Sequence, residues 1–164
     1  MKPIDESCEE FYEQSWLTAA NWYKDHPMDD HPPMIILLRS DESIDILMVG
    51  ALMDGPDGGA RASTLQQASV GMRIGDLFVR AALLITEGWG RLGVTDEEMK
   101  DPKRPRNADH PDRIEYLIFS LLTEHKQAMM MCKIDRKRKS LERQPLVWLN
   151  RLPEGHSVDG RMVR

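Results

Sequence analysis

The stretch Ala81-Ala-Leu-Leu-Ile-Thr86 constrains this chain more than any other. Five consecutive apolar positions, read as an extended strand, present apolar side chains to both faces of a sheet. A strand wetted on one side does not tolerate that pattern, whereas a central strand requires it. A second run, Ile114–Thr123 (IEYLIFSLLT), has the same character. The reading is therefore two buried strands, 82–89 and 114–123, inside one domain.

Around them the chain punctuates itself. Over residues 5–25, Cys8, Phe11/Tyr12, Ser15/Trp16, Ala19 and Trp22/Tyr23 recur at three- and four-residue steps. This spacing predicts an amphipathic helix with Asp5 as N-cap and Glu6, Glu9 and Glu10 near its positive end. Pro27 and Pro32-Pro33 end it. Met34–Arg39 and Ile44–Leu52, joined by Ser40-Asp-Glu-Ser43, predict an antiparallel hairpin. After the breaker Asp54-Gly-Pro-Asp-Gly-Gly59, Ser63 and Gln66 form a capping-box pattern opening a helix over 64–80. Residues 90–111 form a long polar loop. Ile114–Thr123 and Gln127–Asp135 form a second hairpin, and Leu146–Leu149 a last short strand. The expected architecture is α+β: a largely antiparallel sheet of five or six strands with two helices on one face. It forms a single domain over 1–164, with the sheet spanning 34–152 and a polar tail over 153–164.

A chain of 164 residues buries roughly 70% of its unfolded surface and folds without a disulfide or metal. Its two cysteines, Cys8 and Cys132, read as reduced thiols. The acidic segment Met1–Glu13 has no apolar run of a leader peptide, and no stretch approaches the length of a membrane span. The expectation is a cytoplasmic protein without a membrane partner. Charge is asymmetric: residues 1–99 carry a net −11 and residues 100–164 a net +6. Such a division marks either a binding face or two halves lying side by side.

Polar residues gather where the two buried strands meet the long loop: Glu87 and Trp89 on one side, His110, Asp112, Arg113 and Glu115 on the other. As a site, Arg113 would fork a carboxylate or phosphate, Trp89 would stack, and Glu87 or Asp112 would act as base. As scaffolding, Arg113 would pair with Glu87 or Glu115, and Trp89 would pack over the helices. The stretches Ile85-Thr-Glu-Gly-Trp89 and His110-Pro-Asp-Arg-Ile-Glu115 resemble a pattern in short uncharacterised bacterial and phage proteins. That resemblance spans about 35 residues and implies the strand arrangement without implying an activity.

Four other groups merit a reading. Gly58, Gly59, Arg61, Ser63 and Thr64 would offer an anion the amides of a helix start, although the Walker ending is missing. Asp25-His26-Pro-Met-Asp29-Asp30-His31 holds metal-ligand types, but proline breaks their spacing and no metal site is assigned. Lys103-Arg-Pro-Arg106 and Arg136-Lys-Arg-Lys139 would meet phosphates; without adjacent aromatics they read first as a solvated loop and strand end. Met129-Met-Met131 alternates along a strand, so at least one Met faces away from the core. Together these features favour a binding or interaction protein of bacterial or phage origin, an accessory protein or inhibitor of a host system. No catalytic residue or cofactor is assigned. Its partner would be a protein, with a homodimer admissible. The alternatives are a small-molecule or nucleotide binder using Glu87, Trp89 and Arg113, and a nucleic-acid binder using Lys103–Arg106 and Arg136–Lys139.

Overall fold

Residues 2–48, 78–104 and 109–149 are described by a computed structural model. Their elements are α1 (Ile4–Asp25), β1 (Met34–Arg39), β2 (Ile44–Met48), β3 (Val79–Gly90), α2 (Asp96–Lys100), β4 (Ile114–Thr123), β5 (Gln127–Asp135) and β6 (Ser140–Leu141). The six strands form one antiparallel sheet in the order β2-β1-β3-β4-β5-β6, and the α+β expectation holds.

The helix α1 forms because its three- and four-residue spacing buries Cys8, Phe11, Tyr12, Ser15, Ala19 and Tyr23 on one side. It begins at Ile4, so Asp5 is not the cap. Pro3 stands at the N-cap with no side-chain acceptor, and Asp5, in the first turn, pairs instead with Lys126 at 2.9 Å. At the other end His26 N–H reaches Trp22 C=O at 2.7 Å, and Pro27 removes the next donor.

Strand periodicity sorts the sheet into two faces. On the α1 face lie Ile36 and Leu38 of β1, Ala81, Leu83 and Ile85 of β3, Leu117, Phe119 and Leu121 of β4, and Met130, Cys132 and Ile134 of β5. Phe119 is fully buried and meets the Tyr12 ring edge-on at 5.4 Å. Ile35, Leu37, Ala82 and Leu84 are buried on the opposite face, which makes β1 and β3 the doubly buried strands. Burial also pushes both thiols up, Cys8 and Cys132 each to about 11, so they stay protonated and function as packing groups.

Three expected boundaries move. Val79 and Arg80, assigned by periodicity to the end of a helix over 64–80, open β3, where Val79 pairs with Arg39; residues 64–77 lie outside the described residues, as do 49–52 of the second strand and the tail. Among the described residues the last strand is Ser140–Leu141, not 146–149. The chain turns over Arg136–Lys139, with Lys139 at φ +54°, and pairs Leu141 with Ile134 at once. Pro145 has no N–H to continue a ladder, and beyond it the segment meets β5 through an isolated bridge of Trp148 to Ala128, with Leu149 N–H donating to Gln127 C=O at 2.8 Å. Finally, the long loop contains α2, whose start is capped by Thr95 accepting from Glu98 N–H at 3.2 Å; α2 buries no side chain.

Truncating Phe119 to Ala should cost about 3–5 kcal/mol through lost burial and the cavity left behind, measured by urea unfolding. The same truncation at half-exposed Leu17 on α1 should stay within about 0.5 kcal/mol.

Candidate functional site

The α1 face of the sheet changes from apolar to charged at one end. Continuing the alternation beyond Ile85 and Leu117 brings Glu87 and Glu115 inward from β3 and β4. Continuing it beyond Ile134 brings Arg136 inward from the end of β5. The Arg136 guanidinium grips Glu115 with both arms, Nε to Oε2 at 2.9 Å and Nη2 to Oε1 at 2.5 Å. It also donates to the carbonyls of Pro27 at 3.1 Å and Asp29 at 2.9 Å, and lies 3.4 Å from Glu87 Oε2. The other oxygen of Glu87 accepts from Tyr23 Oη–H at 2.5 Å and from His31 N–H at 2.7 Å.

This junction ties α1, the 26–33 connector and three strands together with charge-assisted bonds. Side chains of Arg136, Glu87 and Glu115 are each less than one-fifth exposed. Burial, only partly offset by the hydrogen bonds and by Arg136, raises the Glu87 carboxyl above its ordinary range. The Glu115 hydrogen bonds, with the attraction of both carboxylates, hold the Arg136 cation firmly protonated. Burial and the bond to Glu87 push the Tyr23 phenol up, and burial lowers His31, whose Nδ1 sits 2.9 Å from Pro32 C=O. Asp30, Glu87 and Glu115 bring carboxylate oxygens within 4.8 Å of one another, but Arg136 bonds to all three.

The six residues expected to converge separate into three groups. Glu87 and Glu115 share a cation, and that cation is Arg136. Arg113 lies over the Trp89 ring, Cζ 4.8 Å from its centroid. His110 and Asp112 occupy the turn before β4, where His110 Nδ1 accepts from Asp112 N–H at 3.1 Å. The expectation that Arg136 belongs to a solvated basic strand end is overturned, because Arg136 points into the fold. The alternation of Ala128, Met130, Cys132 and Ile134 was the signal for its inward direction. Tyr23 was visible on the α1 stripe; nothing local marked the backbone amide of His31. Of the 25–31 group, His31 is buried, and His26 stacks on Trp22 with ring centroids 4.2 Å apart. Gly58, Gly59, Arg61, Ser63, Thr64 and Arg106 lie outside the described residues.

On the opposite face, at the same end of the sheet, lies an open groove of about 640 Å³. Its floor is Tyr116, Met129 and Met131, and Trp89, Leu92 and Val147 also line it. The floor depends on Gly90: a Cβ there would come within 2.6 Å of the Tyr116 ring, so the absence of a side chain lets that ring lie across β3. Gly88 makes the same room for Ile118. Both outward methionines are substantially exposed, Met129 at 53% and Met131 at 40%.

Compared with family models, curated proteins and solved structures, the chain matches none. No helix among the described residues is long and apolar enough to cross a membrane.

Replacing Arg136 by Gln should destabilise the fold by about 3 kcal/mol, because two largely buried carboxylates lose their cation. A carboxyl whose folded pKa is raised binds its proton more tightly folded than unfolded, so its ionisation costs stability as pH rises through the interval between the two values. Arg136→Gln should widen that interval for Glu87. Its deficit against the parent chain should therefore be largest near neutral pH and shrink on acidification towards the ordinary carboxylate range, as read by urea midpoints over a pH series.

Proposed function

We propose that this chain is a binding protein whose contact surface is the methionine- and aromatic-lined groove over β3, β4 and β5, and that its partner is a protein segment presenting apolar side chains. The carrying observation is the concentration of exposed large apolar groups there: Trp89, Leu92, Met99, Met129, Met131 and Val147 all line it. Water solvates such a surface poorly, and removing it from water is favourable by about 25 cal/mol per Å². Methionine adapts to the shape it meets, and tryptophan supplies large contact area with few rotatable bonds. The shallow open form suits an extended segment or a helix face better than an enclosed metabolite.

Glu87, the residue that a small-molecule or nucleotide reading would use as base or ligand, already has both oxygens bonded within the fold. That reading retains Trp89, which lines the groove, and Arg113, which lies over the Trp89 ring. Of the basic run 136–139, Arg136 is committed internally and Arg138 pairs with Asp135 at 3.8 Å, which weakens the nucleic-acid alternative. A role as an accessory protein or inhibitor of a host system fits a groove of this kind, and the partner's identity would decide it.

Selection from a displayed random-peptide library against the folded chain should enrich sequences with aromatic or long aliphatic anchors. Trp89→Ala and Met131→Glu should each weaken the selected peptides about tenfold or more while leaving the unfolding midpoint close to the parent's. Peptides that bind both variants as tightly as the parent would place the contact surface elsewhere.

A further inference from the structure

Among the described residues β2 ends the sheet on the side away from the groove. The phase of its ladder follows from the hairpin bond of Arg39 N–H to Ser43 C=O at 2.9 Å. Alternation from that bonded pair turns the backbone groups of Asp45 and Leu47 towards β1, and those of Ile44, Ile46 and Met48 towards the open edge. The side chains of the same three residues lie on the α1 face, beyond the reach of α1. Ile46 is 60% and Met48 61% exposed, and no β2 residue belongs to the core.

Sheet edges are ordinarily blunted by lysine, proline, a bulge or an inward charge. β2 carries no lysine, proline or bulge over Ile44–Met48. Its one charge, Asp45, is paired with Arg39 on β1.

We propose that β2 pairs antiparallel with β2 of a second copy of this chain about a two-fold axis at Ile46, joining two sheets into one. The strand is self-complementary in that register: Ile46 faces its own mate and Ile44 faces Met48, so the apolar row meets an apolar row. The outward N–H and C=O groups of all three residues then find partners. Because only alternate residues face outward, other bonded registers differ by two positions, and each leaves part of the five-residue strand unmatched. Asp45 stands opposite Leu47 and diagonal to its own mate, and each Asp45 keeps its own Arg39, which offsets the repulsion between the two carboxylates at the seam. A foreign strand would gain the same backbone bonds but would have to supply the matching apolar row, which a second copy already carries. The β2 edge is separated from the groove by β1, so this pairing stands independently of the proposed function.

Sedimentation velocity over a concentration series should show a monomer giving way to a dimer, with no larger species because the two-fold pairing closes on itself. Ile46→Lys, a charge placed on an exposed edge, should remain monomeric at every concentration. Opposed residues in this register sit about 5.5 Å apart at Cα, within disulfide reach. Under diamide, Ile46→Cys should therefore cross-link two chains, while Leu47→Cys, facing Asp45, should not; buried Cys8 and Cys132 do not compete. A parent chain that stays monomeric throughout would overturn the proposal, as would a dimer that survives Ile46→Lys or cross-linking as efficient through Leu47→Cys as through Ile46→Cys.

Discussion

A single guanidinium closes the open end of this fold. The apolar face under α1 would run out at Ile85, Leu117 and Ile134, and the next inward positions are two carboxylates and Arg136. Either carboxylate alone would be costly at that depth. With Arg136 between them, and with its remaining donors on the carbonyls of Pro27 and Asp29, the charge becomes a fastening. The connector after α1 is irregular and proline-rich, and it gains a fixed path because that cation holds its carbonyls and Glu87 holds the His31 amide.

The same economy explains the charge asymmetry. The acidic first half and the basic second half meet as ion pairs across the molecule: Asp5 with Lys126, Glu13 with Arg143, Glu87 with Arg136. Most of these are exposed and individually weak. Glu87 with Arg136 is the more sheltered pair, which is why the junction matters more than the number of bridges.

Much of the architecture was legible because periodicity reports which side of an element is buried. The helical stripe from Cys8 to Tyr23, the doubly apolar β3 and the hairpin around Glu124-His-Lys126 all follow from residue spacing. The bounds of β4 and β5 coincide with the expected ones for the same reason. Less legible was anything settled by distant contacts. Val79 became strand because Arg39 was there to pair with it, and Ser140–Leu141 because a tight turn folded it straight back. Within the cluster, sequence proximity favoured Arg113 as the partner of the two carboxylates. The sheet supplied Arg136 instead, from the end of β5, the strand that the expected hairpin had already set beside β4 but whose basic end reads as solvated. The glycines at 88 and 90 gave no local sign that they make room for Ile118 and Tyr116, since that depends on the cross-strand register.

The helix α1 carries a consequence in time as well as in space. Its Tyr12 hydroxyl bonds to the carbonyl of Gln144, and its Trp16 indole to that of Glu142. On a ribosome the helix emerges long before either partner. With synthesis proceeding at about 5–20 residues per second, its apolar stripe waits on the order of ten seconds or more for the strands that cover it. The face that organises the finished core is thus the one most in need of shelter while the chain is being made.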